Sequence, residues 1–167
     1  MSTPLIILIL LTTPLILGSI HAKYTGRTLD VATCASVGLG ISFLFFSIGH
    51  VVKTQGMVEM LPAWVPFRLA LVYATGALEL VIGIALFVPR YRPLAAKMAV
   101  AIFVAFFPAN VYAAVNSIGL GGHQWGPVYL LIRGPLQLIL IAWAYFLFEK
   151  RDNKRSLTRS DYFLQED

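Results

Sequence analysis

The chain has 167 residues, of which 58% are hydrophobic and 13% charged, with a net charge of +5 and a mean hydropathy of +0.77. A soluble domain carries roughly 25% charged residues to cover its surface, so the composition argues against a water-soluble enzyme. The positive residues sit at the ends of apolar segments and form no patch between aromatics, which makes a lipid bilayer the expected partner and nucleic acid not one.

The length suits one domain. The first apolar segment covers about residues 4–20, PLIILILLTTPLILGSI, and is just long enough to span. A cleaved signal peptide is the rival reading. No Lys or Arg precedes the apolar run, so the basic region of a signal peptide is missing, and a retained transmembrane helix within residues 1–22 is expected. Pro14 is expected to kink it, and the lack of polar groups to bury makes it the peripheral helix.

The second segment covers about residues 31–52. Ala32, Ser36 and Gly40 recur at spacing four, a small-residue stripe that lets a neighbouring helix come close. His50 falls near its end. Pro62 and Pro66 then break helix continuation, and Trp64 suits the membrane interface.

The third segment, residues 69–88, LALVYATGALELVIGIALFV, contains a single charged residue, Glu79, at its middle. A carboxylate at that depth is tolerated when it is neutral, paired, or facing a polar cavity. Gly76, Glu79 and Gly83 share one helical face at steps of three and four.

The fourth segment covers about residues 95–115. Ala101, Ala105, Ala109 and Ala113 form a second stripe at spacing four, and Pro108 and Asn110 lie in its later half. Residues 116–126 read as a Gly-rich loop holding His123 and a second interfacial Trp, Trp125. The fifth segment, about residues 128–148, carries Arg133, Pro135 and Gln137 in its first half and Trp143 in its second. Residues 149–167 read as a polar cytoplasmic tail.

Alternate loops of a five-span chain share a side. One side collects Lys23, Arg27, Arg90, Arg92, Lys97, Lys150, Arg151, Lys154, Arg155 and Arg159. The other has Lys53 and Arg68. The positive-inside rule then places the amino terminus outside and the tail in the cytoplasm. At 1.5 Å per residue, Glu79 lies roughly 15 Å and Arg133 roughly 8 Å below the outer surface. His50, Asn110 and Gln137 share that outer half. Unpaired polar groups in lipid are costly, so these side chains are expected to face one another across an internal cavity.

Two roles are open for Glu79: a structural ion pair with Arg133 that locks the third and fifth segments, or a group that gives and takes protons. His50 is either a proton relay or ligand contact, or an interfacial side chain near a helix end. Asn110 either caps backbone groups freed by Pro108 or orients a ligand. Gln137 and Trp143 either line the cavity or pack. No metal-ligand motif, phosphate loop or Ser-nucleophile motif is present, so no metal is expected. The single cysteine, Cys34, excludes an internal disulfide or CxxC pair.

The pieces SIGHVVK, MLPAWVPF, ATGALELVIGIALFVPRYRPLA, FFPANVYAAV and RGPLQLILIAWAY, in that order, resemble the DoxX-like family of small bacterial membrane proteins. The resemblance spans about residues 38–148. It implies an all-α fold: an antiparallel four-helix transmembrane bundle, residues 31–148, to which the amino-terminal helix is an addition. It also implies a bacterial cytoplasmic-membrane protein attached to an oxidoreductase system of the quinone- or thiol-oxidising kind. His50, Glu79, Asn110, Arg133 and Gln137 fall on its motif positions. Any thiol chemistry would need a partner protein.

Three functions compete. The first is a redox-associated subunit binding a quinone-like or other lipophilic molecule, with Glu79 and His50 handling protons and Asn110, Arg133, Gln137 and Trp143 contacting the ligand. The second is an acid/base isomerase or cyclase acting on a lipophilic substrate through the same residues. The third is a non-catalytic assembly or chaperone subunit. The small-residue stripes would also serve a homo-oligomer.

Overall fold

A computed structural model describes residues 2–118 and 122–163, with side chains for 3–118 and 122–147. Among the described residues the regular secondary structure is all helical, with no strand. Helices α1 (Ser2–Thr25), α2 (Val31–Val52), the short α3 (Thr54–Glu59), α4 (Arg68–Phe87) and α5 (Arg92–Val115) are followed by a 3-10 segment, His123–Tyr129, and by α6 (Leu130–Phe163). Five helices are long and apolar enough to cross a bilayer, the last over His123–Leu147, which marks the chain as a multi-pass membrane protein.

Lipid tails are as apolar as leucine, so close packing rather than hydrophobicity must hold such helices together. Glycine provides that closeness. A Cβ on Gly38 would run into the Leu11 carbonyl oxygen of α1. A Cβ on Gly40 would sit 3.1 Å from the Gly83 carbonyl oxygen, and one on Gly83 would sit 3.2 Å from that of Gly40. Farther along the same pair of helices, Gly76 lies against His50. Late residues of α2 thus meet early residues of α4, so the two run antiparallel. By the same logic α1 runs antiparallel to α2, with Gly38 beside Leu11 and Gly18 beside Cys34.

The core between α2, α5 and α6 is aromatic and aliphatic. Phe43 is fully buried, with its ring 5.1 Å from that of Phe103 and 5.9 Å from that of Phe46. Leu39, Leu86, Leu140 and Ala144 surround this cluster. α1 is the most exposed of the five long helices, as its lack of polar groups suggests, and Pro14 sits inside it without ending it.

Several expectations change. The stripe at Ala101, Ala105 and Ala109 is not the packing face of α5: Ala101 and Ala105 are exposed, and only Ala113 is buried. The inward face instead carries Ala95, Ala99, Ile102, Phe103 and Asn110. The Gly-rich loop contains helical structure, because His123–Tyr129 form a 3-10 turn around Gly126 at φ +70°. Residues 149–163 of the polar tail continue the last membrane-spanning helix, and 164–167 lie outside the described residues. α6 continues to Phe163, because Lys, Arg, Glu and Leu are strong helix formers whether or not lipid surrounds them.

The end where α2 begins and α4 finishes is tied by polar bonds. Asp30 caps α2, accepting from the Thr33 amide at 3.1 Å and the Thr33 hydroxyl at 2.6 Å. Arg92 donates to the Thr33 hydroxyl oxygen at 2.8 Å and to the Leu86 carbonyl at 3.1 Å. One cation thereby joins the start of α2, the end of α4 and the start of α5. These bonds to Thr33, with Arg92 nearby, hold the Asp30 carboxyl below its ordinary value of 3.8.

Two predictions follow from this packing. Gly18 and Cys34 face each other, and a Cβ on Gly18 would lie 3.8 Å from the Cys34 Cβ, the separation of a disulfide. Gly18→Cys should therefore oxidise to an intramolecular bond, read as loss of maleimide-reactive thiol, and adding Gly38→Ala should lower the yield by pushing α1 away. Asp30→Ala should cost about 1 kcal/mol, the worth of an N-cap. Because the folded carboxyl titrates low, this contribution is complete above the unfolded value and fades as pH falls through the folded one. Melting curves in detergent should thus separate wild type from variant at neutral pH and converge only at acid pH below the ordinary carboxylate range.

Candidate functional site

Helical side chains lean toward their own N-terminus. On the antiparallel pair α2 and α4, His50 and Glu79 therefore lean toward each other. Gly76 opens the space between them: a Cβ there would come within 2.6 Å of the His50 Cβ and 2.9 Å of its Cγ. The His50 ring occupies that space, and its Nε2 lies 3.1 Å from Glu79 Oε2. Both residues are buried, Glu79 at 4% exposure. Oε2 has no hydrogen bond beyond this ion-pair contact among the described residues.

The other ring nitrogen fixes the proton count. His50 Nδ1 is 2.7 Å from the Val72 carbonyl oxygen. A carbonyl can only accept, so Nδ1 carries a hydrogen. The Thr75 hydroxyl donates to the Leu71 carbonyl at 2.8 Å, with the Val72 carbonyl at 3.0 Å, and lies 3.4 Å from Nδ1. With Nδ1 committed, Nε2 would face Oε2 lone pair to lone pair unless a proton sits between them. The pair therefore holds one proton, either on the carboxyl beside a neutral imidazole or on the imidazole beside a carboxylate. Its net charge is zero in both forms.

α6 brings two further groups. Arg133 and Gln137 stand four residues apart, on one helical face. Arg133 lies within electrostatic reach of Glu79 and Tyr129 but forms no ion pair among the described residues, and its Nε is buried without a partner. The ion pair of Glu79 is thus made with His50, not with Arg133. Charge alone favoured Arg133, but helix proximity decides. Gln137 donates its amide to the Phe103 carbonyl, while its Oε1 is buried and unpartnered. Buried polar atoms without partners are uncommon and call for an explanation.

Asn110 donates to the Phe106 carbonyl at 2.9 Å, one turn back on its own helix. That bond does not cap the carbonyl freed by Pro108, which is that of Val104. Trp143 is not brought to this site. Its indole donates to the Ala35 carbonyl at 3.1 Å, near the opposite end of α2, and so ties α6 to α2. Sequence reasoning missed Tyr129, which is buried with its ring 4.9 Å from that of His123, one turn before Arg133. It also missed Thr75 and the Val72 carbonyl. Beside Tyr129, an apolar recess of about 40 Å³ is lined by Gly122, Trp125, Val128 and Ile132; it has room for a few waters and not for a drug-sized ligand.

Gly76→Ala should break this arrangement. The methyl overlaps His50, so the ring must leave Val72 and Glu79 or the helices must separate, at a cost of about 1–3 kcal/mol. A lowered melting temperature together with a changed His50 imidazole titration by NMR would show it. A silent substitution would mean that His50 is not held against Gly76.

No curated protein and no solved structure matches the chain. Residues 39–148, from within α2 to the apolar part of α6, match the family described as Domain of unknown function (DUF8561), and the chain belongs to that family.

Proposed function

We propose that this is a subunit of a membrane redox system that binds a quinone-like lipophilic molecule beside His50 and Glu79. In this reading α2, α4, α5 and α6 form an antiparallel four-helix bundle, with α1 added at its side. The chain sits in a bacterial cytoplasmic membrane with its amino terminus outside, because ten of its thirteen positive residues fall on the side of the carboxy-terminal extension. The site then lies in the outer half of the bilayer, at the end where the exposed Trp64 and Trp125 suit the interface.

The carrying observation is the buried His50–Glu79 pair, with Arg133 within its electrostatic reach and Gln137 one turn further along α6; Arg133 and Gln137 each keep a buried polar atom without a partner among the described residues. A quinone offers carbonyl oxygens to the donors Arg133 and protonated Glu79. A quinol offers hydroxyls to Gln137 Oε1 and to the pair in its ionic form. Reducing a quinone takes two electrons and two protons. The electrons would come from a partner redox protein, and the protons singly through His50–Glu79, reloaded from the outer surface. The resemblance to DoxX-like proteins supports the same assignment.

An alkyl-naphthoquinone titrated into the protein in lipid nanodiscs should bind saturably, with Glu79→Gln weakening it about tenfold, the size of one charge-assisted hydrogen bond. Glu79→Gln keeps the shape and loses the exchangeable proton, so proton uptake on ligand binding should disappear with it. Equal binding by wild type and variant, or only bulk partitioning into the lipid, would overturn the proposal.

A further inference from the structure

We infer that the occupant of this site is bound as an anion, with an ionised oxygen of a lipophilic molecule held by Arg133. The site is the one assigned above, so the binding reading is presupposed. Arg133 is always charged in proteins. Glu79 is the carboxylate within its electrostatic reach. That carboxylate is committed to His50 at 3.1 Å, and His50 spends its other nitrogen on the Val72 carbonyl. The His50–Glu79 pair therefore sums to zero whichever atom carries the proton.

Tyr129, the remaining titratable neighbour of Arg133, is neutral as a phenol. The described groups around Arg133 thus sum to one positive charge, on a half-buried side chain whose Nε is enclosed. A charge without a counter-ion within a membrane-spanning helix is costly. Arg133 Nε, buried and without a partner, is one edge of a planar fork shaped for a two-oxygen or delocalised anion. A neutral carbonyl would satisfy the hydrogen and leave the charge. An ionised hydroxyquinone, a quinol monoanion or a long-chain carboxylate would satisfy both.

Matched probes separate these chemistries. A 2-hydroxy-3-alkyl-1,4-naphthoquinone is anionic at neutral pH, and its 2-methoxy counterpart is neutral with the same body. In wild-type protein in nanodiscs the hydroxy probe should bind about tenfold tighter than the methoxy probe. Arg133→Gln should erase the preference, and Arg133→Lys, which keeps the charge, should retain part of it. Oleate competing with the hydroxy probe would identify a carboxylate as an acceptable source of the anion, and failure of oleate to compete would restrict the class to ionised quinones.

Two results would overturn the inference, and they differ. If both probes bind equally, the anion requirement fails while the quinone reading stands. If neither binds saturably, both fail. The wild-type comparison needs no variant, so a misfolded Arg133→Gln protein leaves the test intact.

Discussion

A carboxylate in the middle of an apolar helix is the constraint on which this molecule depends. Glu79 is buried within α4, and water is too far away to solvate it. Its stability must come from a neighbouring helix, and the neighbour must come very close. That requirement reaches back into the backbone: α2 and α4 approach at Gly40 and Gly83, and Gly76 leaves the volume that His50 fills. The small residues and the charged residue on one face of α4 are two halves of one solution. Without the glycines the imidazole could not reach the carboxyl. Without the imidazole the carboxyl would have to be neutral and alone.

The same geometry explains why the pair is chemically specific. A salt bridge to arginine would have pinned Glu79 as a permanent carboxylate. Histidine instead shares a proton, and the Val72 carbonyl decides which nitrogen is available for sharing. The backbone of α4 therefore sets which nitrogen of a residue on α2 is free, and that nitrogen shares a proton with another residue of α4 two turns further on. The pair is a closed loop between two helices, which makes the spacing of Val72, Gly76 and Glu79 on one face a chemical arrangement as well as a packing one.

Much of this was legible in the sequence because lipid imposes simple rules. The limits of α2 follow from its run of apolar residues, and the burial of Gly76, Glu79 and Gly83 follows from steps of three and four. What spacing cannot reveal is which helix lies next to which. Arg133 looked like the natural partner of Glu79 because opposite full charges attract, yet His50 is the residue that helix adjacency places there. The alanine stripe of α5 misled for a related reason. Small residues permit close packing but do not compel it, and in α5 the inward face is chosen by Ile102, Phe103 and Asn110. Trp143 stood in a plausible span but at the wrong depth, where its indole serves the Ala35 carbonyl. Thr75 and the Val72 carbonyl carry no motif, and a backbone acceptor is invisible until the fold exists.

The two ends of the α2–α4 pair are built on opposite principles. Where α2 begins, Asp30, Thr33, Arg92 and Leu86 satisfy one another, and Trp143 closes onto Ala35 nearby. Toward the other end, Arg133 Nε and Gln137 Oε1 are buried without partners, and Glu79 Oε2 has only the imidazole. Random imperfection would scatter such atoms through the bundle. Here Arg133 lies within electrostatic reach of Glu79, and Gln137 follows one turn further along α6. Buried polar atoms without partners gain most from a molecule that brings both hydrogen-bonding oxygens and an apolar body.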